Sequence, residues 1–184
     1  PNAAMCHYTA SETEKSSVPN KGLYLVDSGG QYYEGTTDVT RTIAVGPITQ
    51  EEKRCCTLVA CSMLRLLDAK FMYGCRGINL DYIARELLWR NGLDFNHGTG
   101  HGVGHMLSVH EGPHTISPRG TYCHIMPGTL PSDEPGVYLQ EQYGIRIESE
   151  LHCGEDGGGR HLDTLTFCPY EGEALQSLIH PENE

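Results

Sequence analysis

The chain has 184 residues, 38% of them hydrophobic, enough to bury a sizeable core and too many for disorder along the whole length. Its 24 acidic residues outweigh 13 basic ones for a formal charge of −11, a balance that argues against a nucleic-acid backbone as partner. No run approaches the roughly 18 apolar residues of a membrane span, and Pro1 to Thr9 lacks the basic and apolar regions of a signal peptide.

Met5 to Tyr8 is a short strand candidate, and Ser11 to Asn20 reads as a polar loop. Gly22 to Val26 and Val39 to Val45 have strand character, with Gly29-Gly30 and Glu34-Gly35 between them, so a hairpin is expected. Thr49 and Glu52 form a capping box that opens a helix running to about Lys70. A second helix fits Leu80 to Asn91, with Gly92 as its stop. Asn96 to Gly104 is too glycine-rich for a stable helix. Val137 to Leu139 and Ile145 to Leu151 predict a second hairpin, and Leu162 to Phe167 a last strand. The order defines an α+β fold of one domain or a little more. The eight cysteines include no C-x-x-C pair, and the chain has no N-x-S/T sequon. They read as reduced thiols of a cytoplasmic protein.

The acidic residues of the two hairpins are paired. A regular first hairpin that sets Asp27 opposite Asp38 turns between Tyr32 and Tyr33. A regular second hairpin that sets Glu134 opposite Glu148 turns at Glu141. Facing carboxylates repel unless a cation lies between them, and four of them cannot be buried without counter-charge. Two divalent ions supply that charge. Oxygen ligands favour hard cations, and an imidazole from His97-Gly-Thr-Gly-His101-Gly-Val-Gly104 tilts the choice toward Mn2+, Co2+ or Zn2+.

These motifs resemble a known family. Tyr24 to Tyr32, Gly35 to Thr42, His97 to Gly104, Val109-His-Glu-Gly-Pro113, Asp133-Glu-Pro-Gly136 and Gly144 to Glu148 are similar to aminopeptidase P. That is the X-prolyl aminopeptidase branch of the pita-bread metallopeptidases, and the likeness is to the eukaryotic cytosolic form. It extends from Pro1 to about Pro169. The resemblance implies two divalent metal ions, usually manganese, held by Asp27, Asp38, His101, Glu134 and Glu148. It implies a metal-activated water as nucleophile and Glu134 as proton shuttle to the leaving proline nitrogen. His110 is expected to contact substrate and the developing oxyanion. His7 and His97 are expected to shape the substrate cleft, and Arg146 to hold a ligand carboxylate in place. The implied substrates are peptides with proline in the second position, with no nucleic-acid or membrane partner.

The resemblance also implies that residues 1–184 are a C-terminal catalytic domain, incomplete at its N-terminal side and without the creatinase-like domains that precede it in the family. The dimer-forming segment of the family is expected beyond Glu184, so the homodimer belongs to the longer protein. Weak metal binding and weak or no turnover are expected of this chain. Alternatives are a prolidase-like Xaa-Pro dipeptidase, a methionine aminopeptidase, and a pita-bread binding module without catalysis. The last is disfavoured because no ligand is replaced. His110-Glu-Gly-Pro-His114 spells H-E-x-x-H, but Gly112 and Pro113 interrupt the helix that zinc chemistry needs, so His114 is expected at the rim. A Cys–His hydrolase has no local signature here, and Gly98 to Gly104 lacks the spacing of a nucleotide loop.

Overall fold

The computed structural model describes residues 5–106 and 108–175. Strand β1 (Leu23–Gln31) and strand β2 (Thr36–Ala44) form an antiparallel hairpin. Its turn closes through reciprocal hydrogen bonds between Tyr32 and Gly35, leaving Tyr33 and Glu34 at the tip. The turn therefore lies one residue later than expected, and the register slides by two: Asp27 pairs with Thr40 and Asp38 with Gly29. A two-residue slide preserves the face, so both aspartates still point the same way.

Helix α1 (Gln50–Leu67) starts at the expected capping box, Glu52 N–H donating to Thr49 Oγ1 at 3.1 Å and Thr49 N–H to Glu52 Oε2 at 2.6 Å. Helix α2 (Gly77–Arg90) begins three residues before the expected start, because Asn79 Oδ1 accepts from Arg76 N–H and caps it there. Gly77 itself is required by packing: a Cβ there would sit 1.7 Å from the Thr115 carbonyl oxygen. At the other end Gly92 takes φ +70°, the left-handed stop that glycine permits.

Short strands β3 (Phe71–Met72), β4 (Gly100–His101), β5 (Thr115–Ile116) and β6 (Ser132–Asp133) precede the second hairpin, β7 (Gly136–Leu139) and β8 (Tyr143–Arg146). Its register pairs Gly136 with Arg146 and Val137 with Ile145, as expected, and Glu141 occupies the turn at φ 61°. The expected single strand Ile145 to Leu151 is instead broken at Ile147 and Glu148. Glu148 N–H leaves the hairpin and donates to the Thr40 carbonyl on β2 at 3.0 Å. Strand β9 (Ser149–Asp156) then pairs with β10 (Gly159–Thr164) across a Gly157-Gly158 turn, so the last strand begins earlier than Leu162. Strands β3, β10, β9 and β6 lie in that order in one antiparallel sheet. Met5 to Tyr8 is a turn closed by Tyr8 N–H to the Met5 carbonyl, not a strand.

Two apolar clusters fix the helices to this sheet system. Cys55, Val59, Met63 and Leu88 pack on Val137, Ile145 and Ile147 of the second hairpin. Leu66, Leu80 and Ala84 pack on Ile116, Leu151 and Leu162. The hairpins that carry the acidic residues thus rest on helices whose burial supplies the stability, at about 1.5–3 kcal/mol per large side chain. All eight cysteines are free thiols.

Candidate metal centre

A cavity of about 350 Å³ lies between the two hairpins, and His7, Asp27, Asp38, His97, His101, His110, Glu134, Arg146 and Glu148 all line it. Every residue to which the family resemblance gives a site role reaches this one space. Asp38, on β2, is held by a glycine opposite it: a Cβ on Gly29 would lie 2.5 Å from the Thr37 carbonyl oxygen. His101, on β4, is placed from both ends. Its N–H donates to Ser132 Oγ at 3.0 Å, and Nδ1 lies 2.9 Å from the Gly102 carbonyl oxygen. A proton on Nδ1 leaves Nε2 turned to the carboxylates, 3.4 Å from Asp38 Oδ2 and 3.3 Å from Glu134 Oε1.

Ligand atoms of Asp38, His101 and Glu148 lie within 4.8 Å of one another. Glu134 Oε1 accepts from Ser132 Oγ at 3.1 Å. Glu148 Oε2 accepts from Thr40 Oγ1 at 2.6 Å. Asp27 stands at the outer edge, its side chain 43% exposed, with Oδ2 2.7 Å from Arg146 Nη2. Arg146 lines the same cavity as Glu148. It also donates to Tyr138 Oη at 2.9 Å and Thr40 Oγ1 at 3.3 Å.

Burial and mutual repulsion both act on these charges. Burial first, then the charges of Glu134 and Asp38, push the Glu148 carboxyl well above the ordinary range. Burial likewise raises Glu134, against the pull of His101 and Arg146. Burial would lower His101, but its hydrogen bond to Asp38 and the neighbouring carboxylates outweigh it and carry the imidazole up to about 9. A protonated imidazole thus serves as the counter-charge in a cluster of carboxylates. The donor set, carboxylate oxygens and one ring nitrogen at converging distances, fits a divalent ion that would take over that role.

His97 is different. Burial and the nearby Arg146 charge hold it down to about 4, so it is neutral. Its Nδ1 lies 2.7 Å from the Gly98 carbonyl and its Nε2 2.7 Å from Tyr138 Oη. Arg146, Tyr138 and His97 therefore form a hydrogen-bonded chain along the cavity wall. His110 sets its ring edge-on to His101, centroids 4.2 Å apart. His114 is not at the rim: its Nε2 is buried without a hydrogen-bond partner among the described residues, against the glycine backbone at Gly102. Residues 111–114 are not helical, so the H-E-x-x-H string forms no zinc site.

Sequence reasoning missed Cys6, which lines the cavity beside His7, and the supporting Thr40, Ser132 and Tyr138. Thr40 carried one available signal, its position two residues from Asp38 on the same strand face.

Two acidic hairpins facing each other across such a pocket place the chain among the pita-bread metallopeptidases. The sequence profile of metallopeptidase family M24 matches residues 1–155, and the chain belongs to that family. The chain is 48% identical to a probable Xaa-Pro aminopeptidase P of Ajellomyces capsulatus, over 98% of this chain and 30% of that protein. It is 41% identical to aminopeptidase P1 of Lotus japonicus, over 99% of this chain and 29% of that protein. The X-prolyl aminopeptidase of Caenorhabditis elegans, described as a cytosolic enzyme with a di-nuclear active site, superposes with a TM-score of 0.91 at 38% identity, covering 95% of this chain and 30% of that one. A prolidase from Pyrococcus furiosus superposes with a TM-score of 0.79 at 31% identity, covering 91% of this chain and 47% of that one. The chain spans about 30% of the length of the curated relatives it matches.

Proposed function

We propose that residues 1–184 form the catalytic part of an Xaa-Pro aminopeptidase, a cytoplasmic enzyme that releases the first residue from peptides with proline second. The observation that carries this reading is the convergence of Asp38, His101 and Glu148 within 4.8 Å, with Asp27 and Glu134 on the same cavity. Asp27, Asp38, His101, Glu134 and Glu148 would hold two divalent ions, manganese fitting the mixed oxygen and nitrogen donors. Such ions lower the pKa of water toward neutrality and polarise a carbonyl.

The chain's own groups supply the rest. The Glu134 carboxyl, raised by burial, is suited to holding a proton at its oxygen and passing it to the leaving proline nitrogen. That nitrogen is a tertiary amide without a hydrogen and must receive one. His110 stands at the cavity beside His101, placed to donate to a developing oxyanion. His7 and His97 bound the space for the first residue.

The prolidase reading has less support. Among the cavity-lining residues Arg146 is the one Lys or Arg, and it is committed to Asp27, Tyr138 and Thr40. A dipeptide's terminal carboxylate therefore finds no free guanidinium there. No helix among the described residues is long and apolar enough to cross a membrane. A homodimer is proposed for the longer protein.

The test is Mn2+ binding and cleavage of Xaa-Pro-Yaa tripeptides against Xaa-Pro dipeptides, for wild type, Asp38→Asn and Glu134→Gln. Loss of metal in the first variant, loss of turnover in the second and preference for the tripeptide are expected. Metal binding and cleavage unchanged in both variants would overturn the assignment.

A further inference from the structure

Glu148 owes its place to contacts from the other hairpin. It lies between β8 and β9, outside either ladder, and has no strand partner of its own. Three contacts from two adjacent residues of β2 hold it instead. Its N–H donates to the Thr40 carbonyl at 3.0 Å. Its carbonyl accepts from Arg41 Nη1. Its Oε2 accepts from Thr40 Oγ1 at 2.6 Å. The first two fix the backbone. The third alone acts on the side chain.

The direction of that third bond is dictated by its surroundings. Thr40 is 0% exposed, so its hydroxyl has no water to turn to. Arg146 Nε approaches the same oxygen at 3.3 Å, and a guanidinium can only donate. The hydroxyl must therefore accept from Arg146 and give its proton to Glu148. A hydroxyl donating to a carboxylate at this distance forms a strong, charge-assisted bond. The carboxylate is turned by it, with its remaining lone pairs left for a cation.

We propose that Thr40 is a positioning residue of the metal centre: its hydroxyl, oriented by Arg146, aims the Glu148 carboxylate and so sets the affinity for divalent metal. The proposal rests on the metallopeptidase reading above. It separates two jobs that one strand performs, since Asp38 ligates while Thr40 aims a ligand of the opposite hairpin.

The experiment is calorimetric titration of the metal-free chain with Mn2+ alone, for wild type, Thr40→Val and Thr40→Ser, with thermal unfolding in chelator recorded for each. Valine keeps the shape and the β propensity and removes the hydroxyl; serine keeps the hydroxyl. Supporting partners of metal ligands typically control affinity by about tenfold to a hundredfold, so Thr40→Val is expected to bind Mn2+ weaker by that factor. Thr40→Ser is expected to stay within about threefold of wild type. Should Thr40→Val fail to fold, Thr40→Ala carries the same comparison. Wild-type affinity in the hydroxyl-free variant overturns the proposal, as does equal weakening in the serine variant, which keeps the hydroxyl. A lowered unfolding temperature with unchanged affinity marks a purely structural role and also overturns it. Absence of Mn2+ binding by wild type itself overturns the metallopeptidase reading and the proposal with it.

Discussion

Arg146 Nη2 lies 2.7 Å from Asp27 Oδ2, joining the outermost carboxylate of the first hairpin to the strand that leads into Glu148. The guanidinium is 3% exposed and the carboxylate 43%, so the contact is a buried cation reaching toward a half-wet anion. Replacing Arg146 by Met leaves Asp27 and Glu134 without this partner and leaves Tyr138 Oη short of a donor. Breaking buried pairs costs about 3–5 kcal/mol, and the exposure of Asp27 places this one lower, at about 2–3 kcal/mol. Urea unfolding of the metal-free chain is expected to show that loss, with added Mn2+ restoring part of it.

The titration of the centre predicts how metal and pH interact. His101 rises from 6.5 to about 9, and Glu134 and Glu148 rise with it. A group with a raised folded pKa gives stability that is complete below its unfolded value and lost as pH rises through the folded value. The metal-free chain is therefore expected to lose stability from about pH 4.5, where the unfolded carboxyls ionise, up to about pH 9, with His101 adding to the loss above pH 6.5. Metal binding must expel the same protons, so apparent Mn2+ affinity is expected to rise over that window. Calorimetry in buffers of different ionisation enthalpy counts the protons released. Affinity independent of pH would contradict the charge balance described for this pocket.

Gly100 is a packing requirement of the centre. A Cβ there would lie 1.9 Å from the Ser132 carbonyl oxygen, a contact that only backbone movement relieves. Gly100→Ala must push β4 away from β6, separating His101 from Ser132 and Glu134. Loss of measurable Mn2+ binding is expected by calorimetry, with a lowered unfolding temperature as well, since α2 packs on Ile116, the strand partner of Gly100.

Asp133 is fully buried beside Glu134, and neither of its carboxylate oxygens has a hydrogen-bond partner among the described residues. Burial first, then the charges of Glu134 and Glu148, drive its pKa well above the usual range. The fold thus disfavours its ionised form relative to the unfolded chain. Asp133→Asn removes that penalty, and the variant's advantage is expected to widen between pH 5 and pH 8 by up to about 1.4 kcal/mol per pH unit. Thermal unfolding at the two pH values measures it. A constant difference would mean Asp133 is ionised in the fold.

The acidic face of each hairpin was legible because side-chain alternation survives an even error. The turn at Tyr33-Glu34 moved the first register by two, yet Asp27 and Asp38 stayed on one face. The second register was read correctly because Glu141 sits in the turn. The break at Glu148 was not legible. It depends on Glu148 N–H finding Thr40 on the other hairpin, a contact no local pattern encodes. Tyr138 looks like any strand tyrosine until Arg146 and His97 meet it. The extension of β9 through His152 to Asp156 was hidden because that stretch is polar and does not alternate.

The first hairpin is made of neighbours in sequence, but the cation that steadies its outer carboxylate is encoded 119 residues downstream. During synthesis the ribbon carrying Asp27 and Asp38 emerges long before Arg146 does. Its two negative charges then lie together before Arg146 can offset their repulsion. Closure of the pocket thus joins segments far apart in the chain, and long-range pairing of this kind is slower to form than a helix.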